Sequence, residues 1–347
     1  MRENENPGRG QRPGSERGLA DKTGHSITLP PASVNKDLWE AIDKARAELG
    51  LLIRKPVADG RLHRCPVEGG RPGNLDGAYR ICLDRPANLW AMNHKTGAKE
   101  TFLTGGSSNL SPAERREFAA KAEADRRRRE ADQLKAWDQA AQRAKRIYAA
   151  ALACNGHEYL TRKGVQPHYR LRVSGAALAV PLYDACGDMR TLQFISQDGQ
   201  KRFQKGGRKA GCFLPLEPEA GRRGPLLICE GLATGLSLLQ ATGLKTLVSF
   251  DAGNLQAVAQ SARRTWPGRE IVICADNDAG AAVNVGVVKA REAAQAIGGK
   301  LAVPFLSGGP GAVGVDFNDL AQAEGPEAVR ASISMASEPG KGAGHGE

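Results

Sequence analysis

Acidic residues directly follow three short apolar runs in the second half of the chain, and they are Glu230, Asp251, and the pair Asp276 and Asp278. Neighbouring carboxylates repel one another unless a cation neutralises them. Their hard oxygens favour Mg²⁺ or Mn²⁺ over zinc. A divalent cation held there can polarise a phosphoryl group and stabilise the attacking and leaving oxygens of an in-line displacement. The residues therefore predict a divalent-metal site for phosphoryl chemistry, centred on Glu230, Asp276 and Asp278.

The apolar runs that must position these acids alternate with helical patterns between residues 225 and 325. They are residues 226–229, 246–250, 271–275 and 301–305. Strands that alternate with helices predict a parallel sheet with helices on both faces. In such sheets, ligands bind at the carboxyl ends of the strands. The predicted fold class is therefore α/β, with the acids gathered at one edge of the sheet.

Turns and helix caps are the alternative explanation for these acids, because Asp and Gly are common in both at strand ends. For any single acid, a turn or a cap is the better interpretation. Two more acids, Asp316 and Asp319, follow the fourth apolar run. Taken as a set, the acids favour metal binding, and Asp316 and Asp319 are added as candidate metal ligands.

A specific family carries this arrangement of acids. The segment Leu-Leu-Ile-Cys-Glu-Gly at residues 226–231, with Asp276 and Asp278 some 45 residues later, resembles the Toprim domain of bacterial primases, type IA and II topoisomerases and related nucleases. Three local segments resemble the primases of phages and of conjugative or integrative elements, which share a catalytic core with replicative bacterial primases. They are residues 180–187, 201–209 and 316–320. The likeness covers roughly residues 157–330.

The resemblance implies roles for individual residues. Asp276 and Asp278 would hold magnesium, and Glu230 would be a further metal ligand or the general acid/base. The reaction would be nucleotidyl transfer, in which a 3′-hydroxyl attacks the α-phosphate of a nucleoside triphosphate and pyrophosphate leaves. A basic segment would bind template or triphosphate through Lys201, Arg202, Phe203, Lys205, Arg208 and Lys209.

The basic segment also has an ordinary interpretation, because a run of charges is usually just a solvated surface. Two neighbouring glycines, Gly206 and Gly207, favour the functional one, since they let the backbone approach a phosphate closely. Phe203 can stack on a base.

The chain departs from the family's pattern in two places. Gly280 follows Asp278 after one residue, whereas the family usually has two residues between them. This difference affects where the next helix starts and where a second metal would lie. Replicative primases also carry an N-terminal zinc-binding module. The candidates here, His63, Cys65, Cys82 and His94, match no standard zinc-ligand spacing, so zinc is not expected.

Composition shifts divide the rest of the chain. We predict a disordered leader (1–32), a small β-rich module (33–108), a charged helical connector (111–152), a small mixed α+β basic subdomain (157–222), a Toprim domain (223–330) and a disordered tail (331–347). The connector begins at Ser-Pro-Ala-Glu, residues 111–114, where Ser caps, Pro suits the first helical position and Glu completes a capping box.

The overall composition is that of a globular, basic protein. A net charge of +11 favours a polyanionic partner, since binding to phosphates releases counterions. The seven cysteines form no C-x-x-C pair, and no apolar stretch approaches the ~20 residues that span a bilayer. These features predict a cytoplasmic protein with reduced thiols and no membrane contact.

The leading hypothesis is a DNA primase of the mobile-element type that makes short RNA primers from ribonucleoside triphosphates on single-stranded DNA. The chain has no G-x-x-x-x-G-K-[ST] loop, so a fused helicase is not expected and a separate replicative helicase is. Two alternatives stay open. One is a Toprim-type nuclease that uses the same acids with water, and the other is a catalytically inactive DNA-binding adaptor of the primosome.

Overall fold

A computed structural model of the chain describes residues 32–83, 87–103, 111–218, 224–277, 284–307 and 315–339. The chain divides into two compact units, residues 1–126 and 127–347. The predicted leader lies outside the described residues except for its last position. Within the described ranges, no helix is long and apolar enough to cross a membrane.

The first unit is a helix packed on an antiparallel sheet. Helix α1 spans Ala32–Leu49, and the strands are β1 (His63–Cys65), β2 (Gly77–Cys82), β3 (Asn88–Asn93) and β4 (Lys99–Leu103), in that order across the sheet. Leu38 and Ile42 of α1 share a buried core with Ile81, Leu89 and Phe102 from one face of the sheet. Alternate strand residues therefore face the helix, as the two-residue period of a strand requires.

Helix α2, Pro112–Ala150, is the helix expected from residue 111. Its described residues are mostly exposed and charged as far as Trp137, whereas Ala140 and Ala144 further on are buried. Tyr148 donates a hydrogen bond to the carbonyl of Arg170 (2.8 Å). The last turns of α2 therefore pack within the second unit, to which they belong.

An antiparallel sheet of the second unit packs against the last turns of α2. Its strands follow chain order across the sheet: β5 (Leu152–Ala153), β6 (Arg172–Ser174), β7 (Ala177–Tyr183), β8 (Met189–Ile195) and β9 (Lys201–Phe203). Short helix α3 (Glu158–Arg162) lies between β5 and β6 and is capped by the ring of His157, which accepts the N–H of Tyr159.

The second sheet of this unit is mainly parallel. Its strands are β10 (Leu214–Leu216), β11 (Leu226–Cys229), β12 (Thr246–Val248), β13 (Ile271–Cys274) and β14 (Lys300–Ala302), in the order β10-β12-β11-β13-β14. Only β10 runs antiparallel to its neighbour. Since β10 belongs to this sheet, the sheet begins before residue 223, where the domain boundary was predicted.

Helices cover both faces of the parallel sheet. They are α4 (Leu232–Thr242), α5 (Ala252–Thr265), α6 (Val285–Ile297) and α7 (Phe317–Ser334). Residues of α4 and α7 enter one buried core, and those of α5 and α6 enter the other. This arrangement confirms the predicted α/β class with a helix-flanked parallel sheet. The tail begins later than residue 331, because α7 buries Ile333 and Ser337 then pairs with Leu301.

The ion pairs of Glu217, just after β10, make the stability of the fold depend on pH. Its carboxylate accepts hydrogen bonds from Lys245 (2.7 Å) and Arg170 (3.0 Å), which lower its pKa from 4.5 to about 2. The folded state therefore favours the ionised form. The resulting stabilisation is complete at pH values above the pKa of the unfolded state, and it disappears as the pH falls toward 2. Glu217→Gln should lower the free energy of unfolding by about 1 kcal/mol at neutral pH, since water screens this partly exposed group.

Urea unfolding of wild type and Glu217→Gln at about pH 7 and about pH 3 tests this expectation. The difference in free energy of unfolding should shrink at the lower pH. Glu270→Gln, which removes a surface partner of Lys300 (3.1 Å), is the control. An equal difference at both pH values would contradict the assignment.

Candidate active site

Glu230 lies just beyond the end of the central strand of the parallel sheet. It directly follows β11 and precedes Gly231, the N-cap of α4, and its side chain is partly exposed. Its carbonyl accepts the backbone N–H of Phe250 (2.9 Å), so the ends of β11 and β12 are tied together at this point. A carboxylate is thus held at the edge of the sheet where the parallel strands end, here called the carboxyl edge.

Asp276 reaches the same edge from the neighbouring strand. In the parallel pairing of β11 with β13, Ile228 lies beside Ile273, and Asp276 comes two residues after β13 ends. The next residue, Asn277, exchanges backbone hydrogen bonds with Val315 (3.0 and 2.8 Å). The side chain of Asn277 also donates to the carbonyl of Pro304 (3.0 Å). Asp278, the third predicted catalytic acid, lies outside the described residues.

Several acids of the carboxyl edge influence one buried thiol, that of Cys229. Burial raises the pKa of Cys229 most, and Cys274 and the carboxylates of Asp276, Asp316 and Glu230 raise it further. Three carboxylates from three separate elements therefore act on one sulfur at the end of β11. Such a concentration of negative charge is unfavourable unless cations compensate it.

The donor chemistry at the carboxyl edge fits a hard divalent cation. Glu230 and Asp276 offer carboxylate oxygens, the ligands that Mg²⁺ and Mn²⁺ prefer. Within the described ranges, no three His, Cys, Asp or Glu side chains are arranged to hold one metal ion. Asp278, two residues beyond Asp276, falls in the neighbouring range that the structure does not describe.

Asp316 and Asp319 form the capping box at the start of α7. Asp316 accepts the backbone N–H groups of Asn318 (2.7 Å) and Asp319 (2.8 Å), and Asp319 accepts that of Asp316 (3.2 Å). The hydroxyl of Thr234 in α4 also donates to Asp316 (3.2 Å). Both acids thus have a structural role, and their assignment as metal ligands stays a prediction.

Two substitutions of Asp316 separate these roles. Asn is as good an N-cap as Asp but lacks the charge, so Asp316→Asn should keep the stability and, if Asp316 serves only as a cap, the activity. Asp316→Ala should lower the free energy of unfolding by roughly 1–2 kcal/mol. Urea unfolding measures the stability, and incorporation of labelled ribonucleotides on single-stranded DNA measures the activity. A stable Asp316→Asn variant that loses activity would make Asp316 a metal ligand.

The basic segment reaches the carboxyl edge through an aromatic pair. The ring centroid of Phe203, the last residue of β9, lies 6.2 Å from that of Phe250, edge to face. The ammonium of Lys209 lies 5.3 Å from the Phe203 ring centroid and 2.8 Å from the carboxylate of Asp251. Because Phe250 binds the Glu230 carbonyl, the structure brings Phe203 and Lys209 beside the predicted catalytic edge.

The other basic residues divide into two groups. Lys201, Arg202 and Lys205 are exposed. Arg208 instead turns toward Asp184 (3.9 Å) and lies over the ring of Trp137, 5.9 Å from its centroid. The structure therefore places Arg208 apart from the aromatic pair, in contact with α2.

The two glycines of the segment have structural reasons of their own. Gly206 has a positive φ of 78°, a conformation that glycine adopts without strain. A Cβ on Gly207 would lie 1.9 Å from the hydroxyl oxygen of Thr191. Both glycines are therefore explained without a bound phosphate.

Two positioning features were not predicted from the sequence. Phe250 has a φ of +72°, which is unfavourable for a bulky residue and is held by its bond to Glu230 and its contact with Phe203. Gly286, in the first turn of α6, is so close to Asp276 that a Cβ there would lie 2.2 Å from the Asp276 carbonyl oxygen. No spacing in the sequence signals either contact.

The four zinc candidates are spread over the first unit. Cys65 pairs with Gly77 at the start of β2, whereas Cys82 ends that strand. Five residues of strand separate them by roughly 16 Å, too far to share one ion. His63 binds Asp59 (2.8 Å), and burial raises the pKa of Cys65 to about 11.

Comparison with known proteins agrees with this geometry. A family model of the Toprim domain matches residues 225–327. Two proteins of Escherichia coli named DNA primase TraC are similar to this chain: one is 37% identical over 261 residues, the other 35% over 266. The matches cover 73% and 74% of this chain but only 18% and 25% of those proteins, so the chain spans at most a quarter of their length.

Solved primase structures show weaker likeness. The primase fragment of the bacteriophage T7 primase-helicase protein has a TM-score of 0.39 at 14% identity, covering 54% of this chain and 77% of the fragment. The Aquifex aeolicus primase, with its zinc-binding and RNA polymerase domains, also has a TM-score of 0.39, at 11% identity, covering 89% of this chain and 86% of that one. Likeness at this level assigns no role to any residue.

The carboxyl edge with Glu230 and Asp276 thus lies inside the matched region, and the TraC proteins share more than a third of the aligned residues. The chain therefore contains a Toprim domain and is a homologue of the DNA primases named TraC.

Proposed function

We propose that this chain is a DNA primase that makes short RNA primers on single-stranded DNA for a mobile element. The observation that carries the proposal is the meeting of Glu230 and Asp276 at the carboxyl edge of a Toprim sheet, beside a basic segment. The homology to DNA primase TraC supports the same reaction class.

The acids would hold the catalytic cation. Glu230, Asp276 and Asp278 would bind Mg²⁺ or Mn²⁺, with Asp316 and Asp319 as further candidates. When bound, the cation stabilises charge on the reacting phosphate. The 3′-hydroxyl oxygen forms a bond to the α-phosphorus of the incoming ribonucleoside triphosphate, and the bond to the bridging oxygen breaks to release pyrophosphate. Glu230 either holds the cation or accepts the proton of that hydroxyl.

The basic segment would bind the anionic substrates. Lys201, Arg202 and Lys205 are exposed and suited to phosphates of the template or the triphosphate. Phe203, which contacts Phe250 beyond the end of β12, would stack on a base. The single-stranded template would come from a separate replicative helicase.

A nuclease would use the same carboxylates with water as the nucleophile. The basic segment beside the edge supports the primase instead, because a polymerising site must hold a template and a triphosphate at once. An inactive primosome adaptor would bind DNA without metal-dependent chemistry.

Incorporation of labelled ribonucleotides on single-stranded circular DNA with Mg²⁺ tests the proposal. Short RNA products made only in the presence of ribonucleotides and metal are expected. Shortening of the DNA instead would establish the nuclease. DNA binding with neither reaction would establish the adaptor.

A further inference from the structure

One face of the antiparallel sheet in the first unit is not covered by α1. The strand pairing places a row of side chains on it, with Arg80 beside Trp90 and Trp90 beside Thr101. A second row pairs Met92 with Lys99. We call this surface the open face and define it by Arg64, Arg80, Trp90, Met92, Lys99 and Thr101, all of which are exposed or partly exposed.

Within strands β1 to β4, the charged side chains on the open face are those of Arg64, Arg80 and Lys99, and all three are basic. Glu100, the acid of β4, has the same parity as Phe102, whose side chain packs in the α1 core, so Glu100 faces the other side. A polyanion is therefore attracted to the open face. The opposite face of the sheet carries the carboxylate of Glu100 and does not attract one.

The centre of the open face combines an aromatic ring with an arginine. The guanidinium carbon of Arg80 lies 5.9 Å from the centroid of the Trp90 ring. The Nε of Arg80 is buried and has no hydrogen-bond partner in the described part of the chain. Buried donors normally have a partner, so Arg80 has hydrogen-bonding capacity that the described contacts do not use.

We propose that the open face binds single-stranded DNA, with an unpaired base stacked at Trp90 and phosphates bound by Arg80, Lys99 and Arg64. Aromatic side chains flanked by cations on a sheet suit single strands, because every base presents a π-face once it is unpaired. The role of this surface in holding the template rests on the proposed primase function. The binding of single-stranded DNA to it does not. DNA binding would give a role to the first unit, which lacks a recognisable zinc-ligand pattern.

Matched substitutions in the full chain test the open face by fluorescence anisotropy with labelled oligothymidylate and no nucleotides. Trp90→Ala should weaken binding about 5- to 160-fold. Trp39→Ala, at a Trp that is 44% exposed on α1, should not. Lys99→Gln should lower the slope of log affinity against log salt by about 0.7, as expected for one lost phosphate contact on a single strand. Lys44→Gln, at an exposed lysine of α1, is its control.

A cross-linking readout does not depend on how well Trp90→Ala folds. Oligodeoxynucleotide carrying 5-iododeoxyuridine should cross-link to the peptide that contains Trp90. Wild-type affinity in both Trp90→Ala and Lys99→Gln, or equal competition by duplex DNA or by polyglutamate, would overturn the proposal. Because the assay contains no nucleotides, loss of primer synthesis with intact open-face binding would count against the primase function alone.

Discussion

Asp276→Asn is expected to abolish primer synthesis while leaving the fold intact. The substitution keeps the size of the side chain but removes the charge that the carboxyl edge needs to hold a cation. The rate should fall by at least about 100-fold, equivalent to roughly 2.7 kcal/mol of lost transition-state stabilisation. Glu230→Gln should have a comparable effect. Ribonucleotide incorporation at saturating template measures both rates.

The control for these variants is Glu292→Gln on α6, whose carboxylate pairs with Lys289 (2.7 Å) on the surface. It removes one negative charge from the same domain without touching the carboxyl edge, so its rate should match that of wild type. Equal activity in Asp276→Asn and Glu292→Gln would remove Asp276 from the catalytic centre.

Gly286→Ala is expected to damage the same centre without changing any charge. The added Cβ would lie 2.2 Å from the carbonyl oxygen of Asp276 and 3.4 Å from its Cβ, so the start of α6 or Asp276 itself must shift. Displacing a catalytic group by about 1 Å can cost roughly 100-fold in rate. The overpacking should also lower the free energy of unfolding by about 1–3 kcal/mol.

Gly268→Ala supplies the matched control, because its Cβ would meet no atom within 4 Å. Activity assays and urea unfolding of the two alanine variants should therefore differ strongly. If Gly286→Ala keeps both wild-type activity and wild-type stability, the close contact of α6 with Asp276 does not position the acid.

The helix-flanked parallel sheet was predictable because its central strands are short and wholly apolar. Leu226–Cys229 and Ile271–Cys274 are buried at every position, as strands covered on both faces must be. Strand β10 was not identified as part of this sheet. It has only three residues and contains Pro215, and a proline confines a strand to the edge of a sheet, where β10 lies.

The candidate site was predictable only in part. The carboxyl edge follows from the order of strands and acids, so Glu230 and Asp276 were placed together from the sequence. Asp316 and Asp319 have the same residue types as metal ligands, and only the hydrogen bonds of α7 reveal the capping box. The left-handed backbone of Phe250 depends on contacts between distant segments, which no local pattern encodes.

Binding of Mn²⁺ followed by electron paramagnetic resonance tests the central claim, that the carboxyl edge holds a divalent cation, most directly. Wild type and Glu292→Gln should bind Mn²⁺ alike, and Mg²⁺ should displace it. The double variant Glu230→Gln/Asp276→Asn should lose this binding while unfolding as cooperatively as wild type. Unchanged Mn²⁺ binding in a folded double variant would contradict the account.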